Sequence, residues 1–243
     1  MVRTLRQVSG LVIMITKEEI EWLNYNFPDL HVDEENGVIE GVVWFNSVYD
    51  RDSNKFTAFL KPNTTFSGTV LSGEYRIKIT DAKKARRVPK LQVFIDQSKQ
   101  IANRHFYDTG KGDACVAGPA EEEDLFSRYS FYEYFEIFVI QFLYAQSYYD
   151  EYHKWPWFGY EHHAAGILQS FSRSGKTKEQ TLACLKRLRK TSQWDEVKWI
   201  MLGRFDGRKC PCGSRSMIGK CHTDLIRIAR DFHNTCKQYG LAM

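Results

Sequence analysis

Glu74-Tyr-Arg-Ile-Lys-Ile-Thr80 is the stretch on which the fold turns. Its apolar residues alternate with charged ones, so the two-residue period of a strand puts Tyr75, Ile77 and Ile79 on one face. Working outward, Val38–Tyr49 and Lys55–Leu60 precede it and Lys90–Ile95 follows, each with strand composition. Turn residues separate them at Asp50 to Asn54 and Ser67 to Ser72, and a basic turn runs from Lys83 to Pro89. These connections are too short for parallel crossovers, which need a dozen or more residues, so a four-stranded antiparallel meander is expected. Ahead of it, Thr16-Lys-Glu-Glu19 is a capping-box pattern that starts a helix near Lys17 and carries it towards Tyr25, where Phe27-Pro-Asp29 stops it.

Beyond the strands the periodicity breaks. Residues Ile101 to Glu123 form an irregular stretch containing Gly110, Gly112, Gly118 and Pro119, and long loops inside compact domains are commonly functional. An aromatic-rich helix is expected from Leu125 to Tyr152, then a turn through Lys154–Tyr160 and a helix from Glu161 to Phe171. The polar, glycine-containing Ser170–Thr177 reads as a linker. Lys178–Lys190, Trp194–Leu202 and Thr223–Tyr239 read as further helices. The expected class is α+β, with one domain over 16–172 and a small helical module over 178–243.

The 243 residues are 43% hydrophobic and 26% charged, which is ordinary globular composition. Their charge is unevenly spread. From Arg173 onward there are 16 basic and 6 acidic residues, whereas the first 172 residues hold 18 and 24. A mildly acidic body thus carries a basic tail, which suits nucleic acid or an acidic partner, or is a solvated helix face. No succession of charged, apolar and small residues opens the chain as a signal peptide does. The run Phe135–Ala145 is interrupted by Glu136 and Gln141 and is too short to span a membrane. The six cysteines lack the even framework of a secreted disulfide scaffold, so a reducing cytoplasm is the expected setting.

Three of those cysteines cluster with a histidine in Cys210-Pro-Cys212-Gly-Ser214 and Cys221-His222. Three thiolates and one imidazole form a closed tetrahedral ligand set for a structural zinc ion. Gly213 permits the tight turn this spacing needs. The run resembles the SEC-C zinc-binding motif, known from the tail of a bacterial secretion ATPase, and the resemblance covers about a dozen residues.

Cys115 lies in the glycine-rich part of the irregular stretch, ten residues after His105. Most isolated cysteines are small buried hydrophobes, but this one follows a meander rather than sitting in a periodic apolar face. Gly73-Glu-Tyr-Arg-Ile-Lys-Ile79, Val88-Pro-Lys-Leu-Gln-Val-Phe94, His105 and Gly112-Asp-Ala-Cys115-Val116 fall in an order that resembles the divergent bacterial branch of the ubiquitin-conjugating enzymes. Phe27-Pro-Asp-Leu and Gly37-Val-Ile-Glu-Gly41 are similar to the same relatives, and the resemblance spans roughly Thr16 to Phe171. It implies a ubiquitin-conjugating-like domain of N-terminal helix, four-stranded meander and C-terminal helices. It also implies that Cys115 carries a ubiquitin-like protein as a thioester and passes it to an amine on a protein target, after loading by an activating enzyme. Bacterial relatives are commonly linked to antiphage defence. The family's proline and asparagine after the histidine are Phe106 and Tyr107 here, while Asn103 lies on the other side of His105.

His162 and His163, in Tyr160-Glu-His-His-Ala-Ala-Gly166, are candidates to polarise the thioester or deprotonate the attacking amine, or are structural. Three other readings stay open: an inactive module that binds a ubiquitin-like partner, a nucleic-acid-binding protein acting through the zinc-bearing tail, and a thiol hydrolase using Cys115.

Overall fold

The structure is a computed structural model that describes residues 15–61, 65–80, 89–107, 109–157, 160–161 and 163–243, with the side chains of 102 and 124–128 left aside. Most of the basic turn expected at Lys83–Pro89 lies outside the described residues, as does His162. The chain is α+β and falls into two compact units, one of Met1–Val116 with Tyr129–Pro156 and the other of Ala117–Arg128 with Trp157–Met243.

In the first unit, helix α1 (Lys17–Asn26) begins at the expected capping box, with Thr16 and Glu19 exchanging side-chain and backbone hydrogen bonds. The strands are β1 (Leu30–Asp33), β2 (Val38–Asp50), β3 (Lys55–Thr57), β4 (Thr69–Thr80) and β5 (Lys90–Val93). All pair antiparallel in an open sheet of order β1-β2-β4-β5, with β3 beside the end of β2. Two differences from expectation share one cause. The residues Thr69–Ser72, read as a turn, are strand, and Lys55–Leu60 does not separate β2 from β4. At 13 and 12 residues, β2 and β4 are long enough to pair directly from Ile39↔Ile79 to Tyr49↔Thr69. That leaves β3 only the last three residues of β2, on its other side. Strand β1 escaped the sequence reading because its four residues are too few to show a period.

The alternation in β4 holds. Ile77 and Ile79 are fully buried with Ile39, Val43 and Phe45 of the neighbouring strand. On the opposite face Glu40 and Lys78, register partners, form an ion pair at 3.0 Å. The buried face is covered by one helical run: α3 (Phe131–Tyr134), a π-helical stretch (Phe135–Ile140) and α4 (Gln141–Tyr152). Tyr144 donates its hydroxyl to the Thr69 carbonyl at 2.8 Å, and the Tyr75 hydroxyl meets Ser147 Oγ at 3.0 Å. Phe131, Tyr134 and Phe135 are fully buried, each worth roughly 2–3 kcal/mol of apolar burial. The single helix expected from Leu125 to Tyr152 is instead broken after α2 (Pro119–Arg128), because Ser130 and Glu133 form a second capping box that starts a new helix.

The second unit is helical. Helix α2 joins α5 (His163–Arg173), α6 (Lys178–Leu188), α7 (Trp194–Met201), the single turn α8 (Ile218–Cys221) and α9 (Asp224–Gln238). Their core includes Leu168, Phe171, Leu185, Leu188, Ile200 and Phe232, with Phe171 and Phe232 edge-to-face at 4.8 Å. The sequence reading groups α2 and α5 with the sheet, whereas here they pack with the C-terminal helices. The reason lies in their buried side: Ala120, Ala164, Leu168 and Phe171 belong to this core. Helix α9 spells out the helical period, burying Leu225, Ile228, Ala229, Phe232 and Cys236 while Arg227, Arg230 and Lys237 stay exposed. No helix among the described residues is long and apolar enough to cross a membrane.

Candidate functional site

The Cys/His cluster is assembled within the second unit by a short knuckle and one helical turn. Lys209 and Met217 form an antiparallel bridge, the Ile218 amide donates to the Arg208 carbonyl at 2.9 Å, and the Cys210 amide donates to the Ser216 carbonyl at 2.7 Å. This closes the loop that carries Cys210, Pro211, Cys212, Gly213 and Ser214. Gly213 has φ +83°, which favours glycine, and a Cβ there would stand 2.8 Å from Cδ2 of His163, so that ring would have to shift to admit a side chain. The turn α8 then delivers Cys221 and His222 to the other side of the same point.

The ligand atoms of Cys210, Cys212, Cys221 and His222 all lie within 4.8 Å of one another, close enough to bind one metal ion. His222 Nδ1 is 3.2 Å from Sγ of both Cys210 and Cys221, and Cys212 Sγ is 3.7 Å from Cys221 Sγ. A tetrahedral ion with metal–sulfur bonds of about 2.3 Å and metal–nitrogen bonds of about 2.0 Å requires edges of about 3.8 and 3.5 Å. The three measured edges lie near these values, and the four donors are close enough together to hold one metal ion. The electrostatics of the set fit as well. Burial, reinforced by the neighbouring cysteines, pushes the Cys210 thiol up to about 12. For Cys212 burial also acts upward, but hydrogen bonds from the Ser214 side chain and backbone and from the other two cysteines outweigh it and bring the thiol down to about 7. Three sulfurs this close hold only part of their charge by themselves, and a cation removes that restraint.

Residues outside the ligand set brace it. His222 turns Nε2 towards Glu161, whose Oε1 lies 3.3 Å away. A carboxylate on the second ring nitrogen fixes the ring and its tautomer, leaving Nδ1 to face the sulfurs. Ser214 Oγ sits 3.1 Å from Cys212 Sγ and 3.3 Å from Cys221 Sγ, where its hydroxyl can donate to a thiolate. The Ala165 amide of α5 donates to the Pro211 carbonyl at 3.3 Å. The start of α5 is thus seated on the cysteine knuckle, and His163 is placed beside Gly213. The sequence reading had no role for Glu161 here, because 61 residues separate it from its partner.

Cys115 belongs to the first unit, at the end of a segment stitched to the edge of the sheet. The Val93 amide donates to the Gly112 carbonyl and the Ala114 amide to the Leu91 carbonyl, both at 2.9 Å. Asp113 is clamped between Gln92 Nε2 at 2.8 Å and Thr109 Oγ1 at 2.6 Å. Gly112 has φ +75°, and a Cβ there would fall 2.3 Å from the Val93 carbonyl oxygen, so only glycine lets the loop approach β5 this closely. The Cys115 amide donates to the His105 carbonyl at 2.7 Å, and the side chain is half-buried. His105 itself is tilted against Trp155, with ring centres 4.5 Å apart.

The residue before His105 anchors the arrangement. Arg104 is 5% exposed and reaches Gln146 Oε1 at 2.9 Å, the Gln146 carbonyl at 3.1 Å and Asp150 Oδ1 at 2.7 Å, while Gln146 Nε2 donates back to the Arg104 carbonyl at 2.9 Å. The other cysteines, Cys184 and Cys236, are buried in the helical core, and burial pushes their thiols up to about 12 and about 11. Of the sequence candidates, the structure brings together the four candidate metal ligands and places His163 beside them, while Cys115 and His105 share the loop of the first unit. Arg104 carried no sequence signal, since a lone basic residue in an irregular stretch reads as surface.

Compared with protein-family models, curated proteins and solved structures, the chain finds no match.

Proposed function

We propose that this protein accepts a ubiquitin-like protein as a thioester on Cys115 and transfers it to an amine on a protein target, with a structural zinc ion held by Cys210, Cys212, Cys221 and His222. The observation that carries the reading is the built character of the cysteine loop. It follows an open antiparallel sheet packed on one face by a helix, it is ordered by the Gly112 contact and the Asp113 clamp, and it leaves a half-buried thiol rather than a core one. The ordered motifs from Gly73 to Val116 that resemble bacterial ubiquitin-conjugating enzymes point the same way. The proposed domain is accordingly ubiquitin-conjugating-like, and the setting a reducing bacterial cytoplasm, in antiphage defence.

In the first step the Cys115 thiolate attacks the thioester carbonyl that joins the donor to its activating enzyme, the old carbon–sulfur bond breaks, and that enzyme's cysteine leaves as a thiolate. In the second, a neutral amine attacks the new thioester, the carbon–sulfur bond breaks, the Cys115 thiolate departs and the amine loses a proton to a base. The zinc takes no part in either step, because four protein ligands leave it no open position.

A second reading, binding or loading without transfer, rests on one observation. Phe106 is 4% exposed and packs edge-to-face on Phe142 at 5.4 Å, so the side chain after His105 belongs to the core and supplies no donor to a developing oxyanion.

The test combines the protein with ATP and the activating enzyme and ubiquitin-like protein of its own cell. The expected product has one donor's added mass, released by reducing thiols. Cys115→Ala abolishes it, and Cys184→Ala does not. Loading that persists in Cys115→Ala refutes the proposal, and loading without discharge to any amine selects the second reading. Elemental analysis of the purified protein is expected to give about one zinc per chain.

A further inference from the structure

The basic tail contains no run in which aromatic and basic residues alternate plainly, yet the structure gathers such residues from separate turns onto one surface of the second unit. Arg204 and Arg208 both lie over Trp199, with guanidinium carbons 5.2 and 4.8 Å from the ring centre. Arg230, one helix away on α9, lies over Phe205 at 5.2 Å. The fold holds them there: the Arg204 amide donates to the Trp199 carbonyl at 2.8 Å, and the Arg208 amide to the Phe205 carbonyl at 3.0 Å. From Trp199 to Arg230 the chain has seven Lys and Arg residues against two acidic ones, Asp206 and Asp224. Among the described residues, none of Arg204, Arg208, Arg215, Arg227 and Arg230 pairs with a carboxylate.

This departs from an ordinary solvated charged face, in which lysines extend singly and acids are interspersed. Two guanidiniums on one indole repel each other, and each cation–π contact returns only about 0.5–1 kcal/mol at an exposed site. Such a cluster is best completed by an external polyanion. An acidic protein would supply point charges. The arginines offer more: planar forks matched to phosphate oxygens, and flat guanidinium-on-aromatic stacks on which an unpaired base can lie. Leu202 and Met217, exposed at 53% and 49% within the same stretch of chain, add apolar area of the kind a base face covers. We infer that the surface bearing Trp199, Arg204, Phe205, Arg208 and Arg230 binds single-stranded nucleic acid through its phosphates, with bases stacked on the arginine–aromatic layers. This activity is independent of Cys115.

The test uses the full-length, metal-loaded protein and a fluorescent single-stranded oligonucleotide, read by anisotropy over a salt series. Binding is expected at about 50 mM salt and should weaken steeply towards about 200 mM as counterions are released. Arg204→Ala with Arg208→Ala removes two phosphate partners, so the logarithmic salt dependence should become shallower by about 1.4 and affinity should fall at least about tenfold at low salt. Arg204→Lys with Arg208→Lys keeps the charge but loses the stack, and should recover the salt slope without recovering the affinity. Lys186→Ala with Lys190→Ala on the other side of the sequence cluster should bind as the parent does. Unchanged thermal unfolding of the arginine variants excludes a folding defect as the cause. The inference is overturned if the oligonucleotide fails to bind at low salt, or if the alanine variant binds as well as the parent. It is equally overturned if polyglutamate displaces the oligonucleotide at equal or lower charge concentration, which would identify an acidic protein partner.

Discussion

Replacing Gly112 with alanine isolates the contact that presents Cys115. Two costs arise at this position. The residue sits at φ +75°, where an L-side chain costs about 1–2 kcal/mol relative to glycine. Its Cβ would also stand 2.3 Å from the Val93 carbonyl oxygen, whereas ordinary contact begins at 3.4 Å. The loop must therefore retreat from β5 by about an ångström, which breaks the 2.9 Å bond from the Val93 amide to the Gly112 carbonyl and costs about 1–2 kcal/mol more. The sum is about 3 kcal/mol, or a fall of about 6–12 °C in the unfolding temperature of the first unit. Gly110→Ala is the control, because its φ is similar at +65° and the nearest atom to an added Cβ, Gln97 Nε2, is 3.6 Å away. It should cost the conformational part alone, about 1 kcal/mol. Scanning calorimetry measures both variants, and peptide-resolved maleimide labelling follows Cys115, which should react faster once its loop is released. A difference of less than about 0.5 kcal/mol between the two variants would refute this account, since the hydrogen bond and close approach would then contribute nothing measurable.

Glu161→Gln removes the charge that orients His222 and should weaken metal binding by about tenfold or more, as read by competition with a chromophoric chelator; unchanged affinity would strip Glu161 of that role. In metal-free protein Cys212 should be the first thiol to ionise, near 7 and below the usual value of about 8.5. Because its folded value is the lower one, the stability it lends is complete above the unfolded value and is lost as pH falls through 7. Ultraviolet thiolate absorbance that rises only above a pH of about 8.5 would contradict this. Arg104→Ala should destabilise the first unit by about 2–3 kcal/mol, since it strands buried groups on Gln146 and frees the partly exposed Asp150. Burial acts to raise the Asp150 carboxyl, but hydrogen bonds from Arg104 and Lys99 outweigh it and hold it below its ordinary value. The Arg104–Asp150 contribution should therefore be complete above a pH of about 4 and disappear as pH falls below that; a parent–variant difference in urea unfolding that already vanishes at a pH of about 5 would refute the assignment.

Local signals carried a defined part of this protein. The alternation in Glu74–Thr80 determined which face of β4 is buried, because a strand has no freedom in the side on which every second residue points. Thr16 and Glu19 marked the start of α1, and the spacing of Cys210, Cys212, Cys221 and His222 marked the ligand cluster, since a knuckle and one turn of helix suffice to close it. The Ser130–Glu133 box was equally local, and reading it would have divided the long aromatic helix correctly.

The rest depended on contacts between residues far apart in the chain, which no local period encodes. The pairing of β2 with β4 past β3 follows from matched strand lengths and a shared apolar face. Helices α2 and α5 joined the C-terminal core because their small apolar residues fit that core. Glu161 met His222 across 61 positions, and Arg104 met Gln146 and Asp150 across 42 and 46. Arg230 reached Phe205 only because α9 packs beside α7, turning a basic composition into a shaped surface. Composition and spacing thus determined the chemical inventory, the cysteines, the ligand set and the excess of basic over acidic residues in the tail. Tertiary packing decided which of those groups share a point in space, because burial selects partners by shape and hydrogen-bond need rather than by distance along the chain.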